Sequence, residues 1–401
     1  MSEYVGLYMD PESVNTYKMN NKKNFLLDRP LKTEIIEQGV ILPSKEDTRS
    51  KDKKLWAAGG VINTAGEFVP LSELGTLWGG VYHYDLNDED RMDEDVLFMG
   101  PFIAHWGHFI CDEISRLWYY AKHPDKNLKI VYCSWLFGQD ISEFNIYGNY
   151  LELLNLIGIK DSQLINITKP TRFRKIIIPE ISFVPRQYYT EEYLSLIKTV
   201  VSNACTANLK TYEKIYFTRQ NFFDAQQKEY GEAEIASFFR ENGYTVMSPE
   251  TLTVKEQIYY FQNCKSIAMI SGTISHNLIF SSPGIQAIIL NKMGVDNDYQ
   301  IIVDHIADAK ITYINVFFRG FPVLFGVGPF WIGLNRYFKN WATSHNIAMK
   351  KSTSGKFMGM LWYIKKYKQT YIDNEQMRYW LKHQQRSLKM LKQSMKSNSK
   401  S

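Results

Sequence analysis

KIYFTRQNFFDAQQKEYGEAEIASFFRENGYTVMSPETLTVKEQIYYFQNCKSIAMISGTISHNLIFSSPGIQAIILN, residues 214–291, is the stretch whose pattern decides the fold. KIYFTR (214–219) reads as a buried strand, and GEAEIASFFRENG (231–243) as a helix that Gly243 closes. YTVMSP is a strand. LTVKEQIYYFQNC (252–264) is a helix with Thr253 at the N-cap and Glu256 at the capping-box position. SIAMIS is a strand, TISHNLIF a short helix and QAIILN a further strand. Strands that alternate with helices in this way predict a parallel sheet covered by helices, with ligands bound beyond the carboxyl ends of the strands.

Working outward, the preceding region repeats the alternation less regularly. LKIVYC (128–133), LINI (164–167) and FRKIIIP (173–179) read as strands, and 147–159 and about 191–209 as helices. A chain of 401 residues exceeds what one core usually serves. The expected fold class is therefore α/β: two Rossmann-like domains facing a cleft, with a basic helical tail. The expected boundaries are a polar N-terminal extension (1–55), a first domain (56–205), a second (206–330) and the tail (331–401). Residues 1–54 read as polar and irregular, with a charge-rich loop at 45–54, and NDEDRMDED (87–95) as an acidic surface loop before the strand VLFMG (96–100).

Hydrophobic content of 45% and aromatic content of 14% exclude a disordered chain. No run is long and apolar enough to cross a bilayer, and the N-terminus carries no signal-peptide pattern. Cys111, Cys133, Cys205 and Cys264 form no CxxC pair, and each lies in or beside an apolar segment, as reduced, buried thiols do. The net charge of +5 conceals a split. Residues 331–401 hold 15 Lys or Arg against Asp373 and Glu375, whereas residues 1–330 hold 32 basic against 40 acidic side chains. The tail is expected to meet an anionic partner, and the chain as a whole is not expected to bind nucleic acid.

Two stretches carry chemistry. PFIAHWGHFICDEISRLW (101–118) sets His105, His108, Asp112, Glu113 and Arg116 among apolar and aromatic residues. At helical spacing His105, His108 and Asp112 fall near one another, and Arg116 follows Asp112 by four residues. Ionisable groups so placed either satisfy one another in a core helix or face a site. Ser271, Gly272 and Thr273 stand where a buried strand yields to a helix, with His276 and Asn277 in the helix itself. Small residues and exposed backbone N–H groups there suit a phosphate.

Taken in order, HWGHFICDEISRLWYY, IYFTRQ, KEYGEAEIASFFRENGYTVMSPETLTVKEQIYYFQNC and SGTISHNLIFSSPG resemble the motifs of glycosyltransferase family 61, its bacterial capsular polysaccharide branch most of all. The resemblance spans roughly 56–291. It implies a GT-B-like architecture and transfer from a nucleotide sugar with inversion at the anomeric carbon, so a general base must take the acceptor's proton. His108 is the first choice, with Asp112 orienting it; Asp112 or Glu113 is the alternative base. Arg116 holds the helix or an anionic acceptor group, and His105 supports from behind. On the donor side the resemblance picks out Arg219, Lys228 and Glu232 beside Ser271, Gly272, Thr273, His276 and Asn277. The chain departs from the family pattern at Gly231, where Asn is common; at Thr273-Ile274, where Gly-Ala is common; and at Leu290, where Glu is common. Leaving-group stabilisation by Arg219, Lys228 and the helix N-terminus would suffice, so no metal or other cofactor is expected, and a UDP-sugar is the first donor to test.

In the tail, Met377, Trp380, Leu381, Leu388, Leu391 and Met395 approximate one helical face, while Lys382, Arg386, Lys389 and Lys396 lie off it. The expectation is a helix lying on an anionic membrane through 361–396, or one packed on the body with its basic side in solvent, and the GT-B resemblance implies that part of 331–365 crosses back onto the first domain. The full expectation is an inverting transferase on the inner, cytoplasmic face of a bacterial membrane. It would act on a lipid-linked or free glycan in capsule or cell-surface polysaccharide synthesis, with room for a homo-oligomer. The alternatives are a pyruvyl- or phosphosugar-transferase of such assembly, or a non-catalytic membrane-peripheral partner in a capsule complex.

Overall fold

The chain opens with a strand that belongs to its distant second half. In the computed structural model, which describes residues 2–46, 57–74, 78–135, 144–204, 209–294, 297–318, 320–324, 326–349, 356–382 and 385, β1 (Glu3–Tyr8) pairs in parallel with residues 310–314. Helix α1 (Pro11–Asn21) follows, its first turn capped by the Asp10 carboxylate, which accepts from Ser13 N. The first sheet is then built from β2 (Thr33–Glu37), β3 (Val40–Glu46), β4 (Ala57–Ile62) and β5 (Asp90–Phe102). After β5 come α2 (Trp106–Cys111), a 3-10 turn at Glu113–Arg116 and α3 (Trp118–Lys122). Strand β6 (Lys129–Ser134), helix α4 (Gly148–Ile157), and strands β7 (Leu164–Asn166) and β8 (Thr171–Pro179) complete it. A short hairpin, β9 (Phe183–Val184) with β10 (Tyr188–Tyr189), leads to α5 (Glu191–Ala204).

The strand order is β4-β3-β8-β5-β6-β7, with β2 also on β8. The four strands β7, β6, β5 and β8 run parallel, but β2 and β3 are antiparallel to β8, and β4 is antiparallel to β3. Two expectations change here. Residues 1–55 are not an irregular extension, because their described part supplies strands to both sheets and one helix. Nor is the acidic run 87–95 a loop throughout, since the strand begins at Asp90. Its acids find counter-charges beside it: Arg172 pairs with Glu89 at 2.7 Å, Arg174 with Asp95 at 2.8 Å, and Lys175 also pairs with Asp95. The first sheet is thus mixed where a Rossmann-like one was expected.

The second sheet follows its sequence closely. The elements of this half are β11 (Lys214–Phe217), α6 (Phe223–Lys228), β12 (Glu229–Tyr230, outside the sheet itself), α7 (Glu232–Glu241), β13 (Thr245–Met247), α8 (Val254–Asn263), β14 (Ser266–Ile270), α9 (Thr273–His276), β15 (Gln286–Asn291), α10 (Asp298–Ala307) and β16 (Lys310–Asn315). The predicted capping box forms: Thr253 N donates to Glu256 at 2.8 Å, and Glu256 N to Thr253 Oγ1 at 3.2 Å. Six parallel strands lie in the order β13-β11-β14-β15-β16-β1. Buried on both faces, β14 and β15 read as near-continuous apolar runs. The chain order reverses between β11 and β14, so the carboxyl ends of these two strands flank the switch point where doubly wound sheets bind ligands.

One apolar cluster joins the two sheets. It runs from Leu97 and Met99 of β5, through Phe109 and Ile110 of α2 and Leu196 of α5, to Phe217, Met269, Ile289 and Tyr313 of the second sheet. Packed helices therefore occupy much of the space expected as an open cleft. On the outer face of the second sheet, Phe238 and Phe239 of α7 meet Phe338 and Trp341. Each such buried aromatic contributes about 2–3 kcal/mol.

After β17 (Phe330–Trp331), helices α11 (Arg336–Ser344) and α12 (Lys356–Tyr367) stay with the second half of the fold. A crossing back to the first domain was expected for part of 331–365; instead α11 packs on the outer face of the second sheet and α12 on β12 and β17. No helix among the described residues is long and apolar enough to cross a membrane. Cys111, Cys133 and Cys264 are buried and free. Cys205, residues 47–54 of the charged run, and Arg386, Leu388, Lys389, Leu391, Met395 and Lys396 of the tail lie outside the described residues.

Candidate functional site

The 101–118 stretch is not one helix. Pro101 and Phe102 end β5, α2 is six residues long, and the chain breaks at Asp112 before the 3-10 turn. His105 forms the N-cap of α2, its Nδ1 accepting from His108 N at 3.4 Å. His108 and Asp112 still meet across the single turn that separates them, Nδ1 to Oδ2 at 3.4 Å. Between them stands Tyr299 of α10, its hydroxyl donating to Asp112 Oδ2 at 2.7 Å and lying 3.0 Å from His108 Nδ1. With the one phenolic proton given to the carboxylate, Nδ1–H of His108 donates to the phenol oxygen, and Nε2 is left as the basic atom of the ring.

Glu113 and Arg116 turn away from this group. Glu113 is buried, accepts from Ile103 N at 3.1 Å, and is held well above the usual carboxylate range by burial and by Asp112. Fully buried Arg116 meets no carboxylate among the described residues. It donates to four backbone carbonyls: Pro179 at 3.0 Å, Met99 at 3.3 Å, Leu71 at 2.8 Å and Glu73 at 2.6 Å. The guanidinium thus ties β5, β8 and the 70–73 turn together, and burial lowers its pKa to about 9. Among the described residues Arg116 makes no salt bridge, and its contacts are those of a group that holds its helix in place.

The three histidines differ electrically. Burial and the neighbouring His108 bring His105 down to about 4. His276 is brought down to about 3 by burial and by His105 and His108. Burial also opposes the charged form of His108, but the charge and hydrogen bond of Asp112 outweigh it and raise its pKa. Near neutral pH, then, His105 and His276 are neutral, and His108 alone has an enhanced affinity for a proton.

The two halves of the fold meet at Gly107. A Cβ there would lie 2.8 Å from His276 Nδ1 and 3.2 Å from Thr273 Cγ2, so only glycine lets α2 approach α9 this closely. Asn297, whose Oδ1 caps α10 by accepting from Tyr299 N, turns its Nδ2 to His276 Nε2 at 3.1 Å. His276 Nδ1 consequently carries the proton, and it is buried with no hydrogen-bond partner among the described residues. Asn277 locks the same seam, accepting from Trp106 Nε1 at 2.7 Å and donating to Gln257 at 3.0 Å.

At the N-terminal end of α9 lies a cluster of charge at the switch point. Arg219, at the carboxyl end of β11, reaches Glu229 through Nη2 at 3.1 Å, and Lys292, after β15, reaches the same carboxylate at 2.7 Å. Burial opposes the Glu229 charge, yet Lys292 and Arg219 together hold its pKa below the usual value. Burial and Arg219 bring the Lys292 ammonium down to about 8. Gly272, at φ 145°, turns its open side to both cations: a Cβ there would lie 3.7 Å from Arg219 Nη1 and 3.8 Å from Lys292 Nζ. Ser271 Oγ accepts from Lys292 N at 3.3 Å. Two cations facing a backbone without a side chain form a seat for an anion.

Glu232 serves the same loop from within. Its Oε1 accepts from Arg219 N at 2.7 Å, Thr218 Oγ1 at 2.9 Å and Tyr216 OH at 3.1 Å, which positions Arg219 and leaves little of the carboxylate for a ligand. Lys228 is more exposed and pairs with Asp224 at 3.6 Å. Gly231, at φ 105°, has a physical reason to be glycine, since a Cβ would overlap the Ile332 carbonyl oxygen. Among the described residues no three His, Cys, Asp or Glu converge to hold a metal ion.

Sequence reasoning missed Tyr299, Lys292 and Glu229. Lys292 had a signal, because it follows the strand QAIILN at the same sheet edge as Arg219 and Ser271. Tyr299 had none, being far in sequence from the residues it joins.

Fold and site together describe an α/β protein of two main sheets, with a His108–Asp112–Tyr299 group beside α9 and an Arg219–Lys292–Glu229 cluster at the N-terminal end of that helix. Residues 106–289 match the family model described as Glycosyltransferase 61, somewhat less than half of the chain, and the match supports a glycosyltransferase of that family. No curated protein matches the chain.

Proposed function

We propose that the protein is an inverting glycosyltransferase with a GT-B-like division of labour, the second sheet holding a nucleotide sugar and α2 presenting the base. The observation that carries this reading is His108, bonded to Asp112 and Tyr299, on the helix that packs against α9, whose N-terminal glycine faces Arg219 and Lys292. The acceptor hydroxyl oxygen forms a bond to the anomeric carbon as the bond from that carbon to the diphosphate breaks. The hydroxyl proton passes to His108 Nε2. The diphosphate leaves with the bonding electrons, and Arg219 and Lys292 take up its charge in place of Glu229, with Lys228 nearby.

This assignment makes His108 the base and Asp112 its orienting partner. His276, whose Nδ1–H is buried without a partner among the described residues and whose ring burial and the neighbouring histidines keep neutral, is assigned as a hydrogen-bond donor. No step needs a metal ion. The acceptor is a glycan, carried on a lipid at the inner face of a bacterial membrane during capsule or surface-polysaccharide synthesis; the acidic body and basic tail support such a location. The test is transfer or hydrolysis with UDP-, GDP-, CDP- and dTDP-sugars, UDP-sugars first, with lipid-linked and soluble glycans supplied. Turnover of one donor, lost in His108→Ala, is expected. Silence with every donor would contradict the proposal.

A further inference from the structure

Helix α12 buries only Gly359 and Tyr363. The Tyr363 hydroxyl donates to Phe321 O at 2.9 Å, Trp362 lies 5.5 Å from the Tyr230 ring, and a Cβ on Gly359 would come within 2.5 Å of Trp331 Nε1. These contacts fix the helix to β12 and β17, the pair of strands that also carries Glu229 of the anion seat. Its opposite side is apolar and open. Phe357, Met360, Leu361 and Ile364 are 66%, 40%, 44% and 47% exposed, and their spacing of three, four and seven residues places them in one stripe. Beyond the helix Ile372, Tyr379 and Trp380 are exposed as well. A contiguous apolar stripe on a helix otherwise fixed to the body marks an interaction surface.

The charge around the stripe identifies its partner. Lys356, Lys365 and Lys368 are exposed on the same helix and the turn after it, and the chain has no Asp or Glu from Trp331 to Ile372. The stripe itself offers no directional hydrogen-bonding group, whereas long lysine side chains can reach headgroups from beside an inserted apolar face. We propose that α12 is an interfacial anchor, with Phe357, Met360, Leu361 and Ile364 among the acyl chains of an anionic bilayer and the lysines at its headgroups. This deepens the reading of a membrane-borne acceptor, and rests on it only for the purpose of the anchor.

The test uses the full chain, sedimented with vesicles of phosphatidylcholine alone or mixed with phosphatidylglycerol. Binding to the mixed vesicles is expected, with at least about a tenfold preference over phosphatidylcholine alone. The double variant Leu361→Ser/Ile364→Ser should lower binding about tenfold or more. Lys365→Glu/Lys368→Glu should remove the lipid preference. Both variants should keep the wild-type melting temperature and nucleotide-sugar hydrolysis in solution. Unchanged vesicle binding in both variants would overturn the proposal. Loss of binding in Leu388→Glu/Leu391→Glu, with the stripe variants unaffected, would overturn it in favour of the distal tail. So would a dimer that Leu361→Ser dissociates in the absence of vesicle binding, which would make the stripe a contact between copies. Vesicle binding without sugar transfer would count against the enzymatic reading and leave the anchor standing.

Discussion

At the scale of single residues the account turns on one imidazole. His108 differs from His105 and His276 in its partners: the Asp112 carboxylate on Nδ1 outweighs burial and raises its proton affinity, while burial and neighbouring histidines drive the other two rings neutral. His108→Ala should lower kcat by about 10²–10⁴, with the donor KM little changed, in steady-state kinetics. Because a base acts when unprotonated, activity should rise with pH through the raised pKa of His108. Asp112→Asn removes the charge that raises it, so the acid limb of the pH profile should move to lower pH while the rate falls. Lys292 supplies the opposite limb. Its pKa of about 8 leaves a cation below that pH and a neutral amine above it, so donor KM should climb as pH rises past about 8. Lys292→Gln should raise KM at neutral pH and abolish that rise.

At the scale of elements, the seam between α2 and α9 is the feature most open to attack. Gly107→Ala drives a methyl group toward the His276 ring; it should reduce kcat more than its loss of melting temperature would explain. Gly231→Ala, strained at φ 105° and overlapping a backbone oxygen, should instead show mainly as a destabilisation of about 2–4 kcal/mol in denaturant unfolding. A buried carboxyl also joins elements distant in sequence. Asp304 of α10 accepts from Tyr4 of β1 at 2.9 Å and from Tyr313 of β16 at 2.7 Å, and burial raises its pKa from 3.8 to about 7. The folded state therefore holds this proton more tightly than the unfolded chain. The contribution is full below 3.8 and is lost as pH rises through about 7. Asp304→Asn should flatten the dependence of melting temperature on pH over that window.

The same scale explains what the sequence could convey. The β–α alternation of 214–291 was legible because parallel strands buried on both faces are uniformly apolar and their helices carry capping residues. The first sheet was less legible: the acids of β5 are matched by basic residues of β8 some 80 positions away, and no local pattern reveals that pairing. His108, Asp112 and Arg219 stood out as ionisable groups in apolar or strand-end settings. Arg116 stood out for the same reason and proved structural, since sequence does not distinguish a guanidinium that meets a ligand from one that meets four carbonyls.

For the whole molecule, the organising fact is that two sheets share one core and that α2 of the first half packs against α9 of the second. A body of net charge −8 and a tail of +13 orient the protein, on the present account, with the site between a nucleotide-sugar pool and an anionic surface. The central claim is direct displacement by an acceptor hydroxyl activated at His108, with Arg219 and Lys292 receiving the leaving group. It is tested most directly by the anomeric configuration of the product, read by proton NMR during turnover of an α-linked nucleotide sugar. The account predicts a β-linked product, formed by the wild type and lost in His108→Ala. An α-linked product, or undiminished transfer by His108→Ala, would contradict it.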